Sequence, residues 1–272
     1  MKIPFGKSAP SPNLRQPKRA ETPELHSVSV AAQYRGARVG GDYYDYVAAG
    51  NRLLVLMLDI AGKREEAFHI AASVQETFQG AADLFAIDDL NEAVAMSQLM
   101  LEVNRAIMDA AGGVRCAAGV LLCYNEVAGT LWYINAGHTS PILKEPTGVT
   151  VLETTGLPLG LFSHATHDAS VCVMPEGSAL VLVSRGLVEA RAGSEEFGLK
   201  RVQAAVAATP VVDAQQLCSS IHEAVRRFLE THPRHRLLPN RERTVTDDDP
   251  FGHNDATALA LVRRTAAVAA RA

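Results

Sequence analysis

The stretch Asn51-Arg-Leu-Leu-Val-Leu-Met-Leu-Asp-Ile-Ala-Gly-Lys63 constrains the fold more than any other. Leu53 to Leu58 are uninterruptedly apolar, the pattern of a strand buried on both faces. Such a strand belongs in the middle of a sheet that is covered on both sides. The run ends on one carboxylate, Asp59, and the chain then turns through Ala61-Gly62. A carboxylate at the end of a buried strand is costly unless a cation or hydrogen-bond donors meet it. Two readings follow. Asp59 could cap a helix starting near Arg64, because aspartate is a favoured N-cap, or it could be the centre of a site.

The 272 residues suffice for one large domain or two small ones. A 47% hydrophobic and 21% charged composition is that of a soluble globular protein. The net charge of −4 excludes a general nucleic-acid binder, which would carry a basic excess. No apolar run approaches the roughly 20 residues of a membrane span, and the N-terminus lacks the apolar core of a secretory signal. Cys116, Cys123, Cys172 and Cys218 are far apart, with no C-x-x-C pair. A reducing cytoplasm is therefore the expected location.

Residues 1–24 carry Pro4, Pro10, Pro12, Pro17 and Pro23, five Lys or Arg, and no acid before Glu21. That composition cannot bury a core and is expected to be a disordered basic tail. From His26 to Tyr34 a loose alternation predicts an edge strand. Gly40-Gly41 then permits a close backbone approach, and in the strand that follows Asp42 and Tyr44 share one face while Tyr43 and Asp45 share the other. This strand and the one ending at Asp59 should pair as a hairpin. Helical spacing runs from Arg64 to Phe85, with Ala67, Ile70, Ala71, Val74 and Phe78 on one stripe, and from Leu90 to Ala111, with Val94, Leu101, Ile107 and Met108 inward. Strands are expected at 115–125, 130–136, 140–144, 149–154, 168–174 and 179–183. Helices return at 198–208 and 213–231, a polar loop follows over 233–252, and a last strand covers 254–262. Strands, two helices, strands, two helices, strand: this order fits two stacked sheets with a helix pair outside each.

Other chemistry is poorly supported. Ser184 lacks a Gly-x-Ser-x-Gly elbow, and Gly193-Ser-Glu-Glu-Phe-Gly198 lacks the Gly-Lys-Ser/Thr ending of a P-loop. His164, His167, His232, His235 and His253 have no metal-ligand spacing. Asp247-Asp-Asp249 reads as a solvated acidic loop, and His69 as a helix-face residue.

Four segments together resemble the SpoIIE-type branch of the PP2C-like (PPM) protein phosphatases. They are Val39-Gly-Gly-Asp-Tyr-Tyr-Asp45, Asp59-Ile-Ala-Gly-Lys63, Asn135-Ala-Gly-His138 and Gly156-Leu-Pro-Leu-Gly160, with weaker echoes in Gly186-Leu-Val-Glu-Ala190, Glu196-Phe-Gly198 and Asp255-Ala-Thr257. The resemblance implies a four-layer α-β-β-α sandwich over residues 25–265, followed by a short tail at 266–272. It also implies hydrolysis of phosphoserine or phosphothreonine by water activated on Mn²⁺ or Mg²⁺ ions, which take oxygen ligands. On this basis Asp42 and Asp59 are the candidate catalytic and metal-binding carboxylates, with the Ile60 carbonyl and Asp255 as further ligands. Gly40, Gly41, Gly62, His138 and Gly186 belong to turns beside the site, and for His138 a structural role outweighs a catalytic one. The partner implied is a phosphorylated bacterial regulator of the anti-sigma-antagonist type, and a homodimer is one open arrangement.

Two positions depart from the family pattern. Where a metal-binding aspartate is usual at a strand end, the sequence has Val183-Ser-Arg-Gly186, placing Arg185 there; where Asp-Asp-x-Thr is usual, it has Asn254-Asp-Ala-Thr257. Exchanging a ligand carboxylate for a guanidinium changes the local charge by two units. A like-charge pair at about 4 Å costs roughly 4 kcal/mol at an effective dielectric near 20, and a divalent ion doubles that. The expectation is that at least one metal site is lost and that Arg185 makes charge-assisted bonds to Asp59 or Asp42. Two functional classes stay open: a metal-dependent phosphatase of weak activity, and a pseudophosphatase that serves as a binding or regulatory module.

Overall fold

The computed structural model describes residues 18–23, 25–35, 41–62, 64–111, 115–231 and 255–265. The tail through residue 17, Gly40, the loop with Asp247 to Asp249, Asn254 and residues 266–272 lie outside the described residues.

In chain order the elements are β1 (Val28–Arg35), β2 (Asp42–Ala49), β3 (Arg52–Ile60), α1 (Arg64–Gln79), α2 (Ala82–Phe85), α3 (Glu92–Ala111), β4 (Ala117–Asn125), β5 (Thr130–Ala136), β6 (Ile142–Glu145), β7 (Gly148–Val151), β8 (Ser170–Val173), β9 (Ala179–Val183), α4 (Arg185–Val188), β10 (Arg191–Ala192), β11 (Glu195–Glu196), α5 (Gly198–Ala208), α6 (Ala214–Thr231) and β12 (Ala256–Arg263). Two five-stranded sheets form, ordered β2-β3-β4-β5-β8 and β1-β12-β9-β6-β7. Their strand pairs are antiparallel.

Three apolar layers hold the four structural layers together. Between the sheets lie Tyr46, Leu53, Val55, Met57 and Val120 from one, and Leu180, Leu182, Leu259 and Leu261 from the other. The alternate residues of β3, Leu54, Leu56 and Leu58, pack outward against Val74 and Phe78 of α1 and Met96 and Val103 of α3. On the opposite flank Val181, Val183, Ala258 and Ala260 meet Leu217, Ile221 and Val225 of α6. β3 is therefore buried on both faces, as its unbroken apolar run requires. Fully burying each such aliphatic side chain contributes about 1.5–3 kcal/mol.

Some boundaries differ from expectation, with physical reasons. The helix expected from Arg64 to Phe85 breaks after Gln79, at Gly80, a poor helix former. The next long helix starts at Glu92 rather than Leu90, because the Asn91 side chain accepts the backbone N–H of Val94 at 3.2 Å and caps it. Val94 thus lies in the first turn and is 62% exposed, contrary to its expected inward position. Asp59 sits within β3, separated from α1 by Ile60, Ala61, Gly62 and Lys63, so it does not cap that helix.

Candidate functional site

At one end of the sandwich the inward faces of both sheets run out of apolar residues. Asp42 pairs in register with Asp59, and Asp59 with Ala118, so the three stand side by side at the ends of β2, β3 and β4. Alternation places Asp59 on the face of Val55 and Met57, between the sheets. The other sheet answers with hydroxyls. Thr257 Oγ1 donates to Asp42 Oδ2 at 2.6 Å. Ser184 Oγ accepts from Thr257 N at 2.9 Å, and Ser184 N donates to Thr257 O at 2.8 Å.

Burial pushes the Asp42 carboxyl up to about 7; the Ser184 and Thr257 hydroxyls oppose the rise, and the charges of Asp59 and Asp255 reinforce it. Asp45, on the opposite face of the same strand, accepts from Tyr43 Oη, Tyr46 N, Gln75 Nε2 and Gln79 Nε2, and so serves the packing of α1 rather than the site.

The glycine at position 41 is required. A β-carbon there would lie 1.9 Å from the Ile60 carbonyl oxygen, while Ile60 N donates to Gly41 O at 2.9 Å. This close approach aligns Asp42 with Asp59. Gly62, at φ 137°, reverses the chain immediately after the site.

Arg185 meets Asp59 directly. Its Nε lies 3.2 Å from Asp59 Oδ2 and 3.8 Å from Glu189 Oε1. Its mount is α4, a short helix that the sequence pattern did not reveal. Gly186 lets α4 press on β12, since a β-carbon there would stand 1.7 Å from the Asp255 carbonyl oxygen. Asp255 is buried, and one of its carboxylate oxygens accepts from Tyr34 Oη at 2.5 Å. Tyr34 and Thr257 were not among the expected site residues. The signal available for Thr257 was its two-residue spacing from Asp255 on one strand.

A cleft of about 360 Å³ opens here, lined by Asp59, His138, Thr139, Ser140, Arg185 and Glu189 among others. His138 forms part of its wall. The Asn135 side chain accepts the His138 N–H at 2.9 Å, and Gly137, at φ 74°, lies so close to Pro158 that a β-carbon would meet its ring at 2.7 Å. His138 Nδ1 is 3.1 Å from Thr139 O. A carbonyl only accepts, so Nδ1 carries the proton. Burial lowers the pKa of the ring. His167, buried with Nε2 2.7 Å from Leu157 O, locks the neighbouring Gly156 to Gly160 turn.

A family model for stage II sporulation protein E (SpoIIE) matches residues 49–236. The chain belongs to the SpoIIE family. Among solved structures, the RsbU and RsbW domains of Rv1364c from Mycobacterium tuberculosis superpose at TM-score 0.64 and 22% identity, covering 88% of this chain and 62% of that one. The PP2C phosphatase domain and regulatory fragment of Bacillus subtilis SpoIIE gives 0.63 and 16%, covering 86% and 63%. RsbX, solved in complex with magnesium, gives 0.59 and 13%, covering 89% and 98%. The chain thus spans just under two thirds of the first two proteins. These likenesses establish a PP2C-type fold. No curated protein sequence matches the chain.

The family's fold raises the question of a divalent-ion pair, and the carboxylates here already have partners. Asp59 is engaged by a guanidinium, Asp42 by a hydroxyl and Asp255 by a phenol. Among the described residues no three His, Cys, Asp or Glu side chains gather into a metal-holding set.

Proposed function

We propose that this SpoIIE-family chain works as a pseudophosphatase: it docks a protein regulator of the anti-sigma-antagonist type and does not efficiently dephosphorylate it. The observation that carries this reading is the Arg185–Asp59 ion pair at 3.2 Å. Water activation in this fold class needs carboxylates free to hold divalent cations. Here the carboxylate at the centre of the site is matched by a side chain of the protein itself. A guanidinium cannot lower the pKa of a bound water as a divalent cation does. The structural neighbours supply the context of the partner, since the Rv1364c structure joins an RsbU to an RsbW domain and another neighbour is described as part of the bacterial stressosome.

A second reading, weak phosphoserine or phosphothreonine hydrolysis with Mn²⁺ or Mg²⁺, rests on a different observation. Asp42 and Asp59 still face each other across β2 and β3, beside the Ile60 carbonyl that Gly41 approaches. One experiment separates the two. With Mn²⁺ supplied, release of phosphate from an aryl phosphate and from a phosphoserine peptide should stay near background. Turnover matching an intact family member would overturn the pseudophosphatase reading.

A further inference from the structure

We infer that Arg185 is a tethered cation that pairs with Asp59 at the carboxylate end of the sandwich and shuts divalent ions out of it. The inference deepens the proposed function at the same site, but it rests on that reading only for where the site lies.

Two carboxylates stand side by side at this end, and a third acts on one of them through its charge. Asp42 and Asp59 are register partners, and the charge of Asp255 is felt at Asp42. Like charges on adjacent strands repel unless a cation stands among them. Arg185 supplies one to Asp59, and it does so by construction. The Arg185 backbone leads directly out of β9, Glu189 N donates to Arg185 O at 2.8 Å to close α4, and Gly186 seats that turn against the Asp255 carbonyl. The element that carries the cation is therefore pinned to the strand next to one of the acids.

The pairing is also exchangeable. The guanidinium meets Asp59 through Nε at 3.2 Å, the side chain is 62% exposed, and Glu189 lies 3.8 Å from the same nitrogen. A rotamer change into solvent frees Asp59 without unfolding anything. Release of an exposed ion pair of this kind changes ion affinity by at most about fivefold. The larger effect is the repulsion between the remaining guanidinium and an arriving divalent ion, which persists as long as the side chain is tethered there.

The test is calorimetric titration of the full chain with Mn²⁺, together with thermal melting in EDTA and in Mn²⁺. Arg185→Met should bind Mn²⁺ roughly tenfold or more tightly than the parent. It should melt slightly below the parent in EDTA and recover when Mn²⁺ is added. Arg185→Lys keeps the charge and should stay close to the parent. Arg185→Met combined with Asp59→Asn should lose the gain. If Arg185→Met fails to fold, Arg185→Gln serves in its place. Equal Mn²⁺ affinity in parent and neutral variants, whether weak or strong, overturns the inference, as does a gain that survives Asp59→Asn. Assaying the parent for aryl phosphate hydrolysis alongside keeps the two readings apart. Turnover by the parent overturns the pseudophosphatase reading alone, whereas unchanged affinity overturns the role of Arg185 alone.

Discussion

Strand β3 carries an arginine–carboxylate pair at each end, and the two are built differently. At its start Arg52 is almost fully buried: Nε donates to Glu92 Oε1 at 2.5 Å, Nη1 to Phe85 O and Ile87 O, and Nη2 to Asp88 O. Glu92 also accepts from Asn125. Each nitrogen of that guanidinium is engaged, and the pair ties the α2–α3 connection to the sheet. At the other end Arg185 meets Asp59 through Nε at 3.2 Å and is largely in water. A saturated, dry arginine is a structural fixture. A wet one paired with a carboxylate at the strand's end is available for exchange, and that difference separates scaffold from site within a single strand.

The comparison breaks most visibly at Arg52. Replacing it by Met leaves Glu92 uncompensated and strands three carbonyls, a loss of about 3–5 kcal/mol. Urea unfolding should show that loss unchanged by Mn²⁺. A loss below about 1 kcal/mol would mean that the buried pair is as dispensable as an exposed one. Next comes Gly186→Ala, which drives a β-carbon into the Asp255 carbonyl. The cost of shifting α4 should be about 1–3 kcal/mol, read as a lower melting temperature. If melting does not change, α4 is not pinned, and neither is Arg185.

The acid limb of stability tests the same contrast between interior and site. Burial lowers the His222 pKa from 6.5 to about 4, so its contribution to stability is present above 6.5 and lost as the pH falls toward 4. Asp42 runs the other way. Raised from 3.8 to about 7, it stabilises the fold below 3.8 and loses that contribution as the pH rises through 7. Between about pH 4.5 and 6.5 the two slopes, each up to about 1.4 kcal/mol per unit, oppose each other. The parent should therefore show a nearly flat urea midpoint in this window. Asp42→Asn should make stability fall on acidification, and His222→Asn should make it rise. The same slope in both variants would show that neither group governs it.

Much of this architecture was legible because its causes are local. The apolar run of β3, the i, i+3, i+4 stripe of α1 and the change to strand period near residue 115 each follow from one segment's own burial. So do Asp42 and Asp59, whose positions at strand ends are written in single motifs. What was illegible depends on contacts between distant segments. Four residues of α4 are too few to show a period, and its seat exists only because Gly186 meets Asp255 from another strand. The Tyr34–Asp255 and Thr257–Asp42 bonds link residues more than 200 positions apart. Val94 was misplaced because the cap at Asn91, not the apolar spacing alone, sets the phase of α3.

The smallest effect is the most discriminating for the exposed end of β3. Glu189 lies 3.8 Å from Arg185 Nε, as the i,i+4 residue just past the end of α4, with both side chains more than half exposed. Water screens such a pair, and its contribution should be within about 0.5 kcal/mol of zero. Glu189→Gln should therefore leave the urea midpoint where it was. Its consequence lies instead in the choice open to Arg185. With Glu189 neutral, the guanidinium has one carboxylate partner here rather than two, so it should dwell longer on Asp59 and weaken Mn²⁺ binding slightly further. A loss above about 1 kcal/mol would show that the outer carboxylate clamps Arg185 as firmly as Glu92 holds Arg52. The two ends of β3 would then be the same kind of fixture, and Arg185 could not exchange.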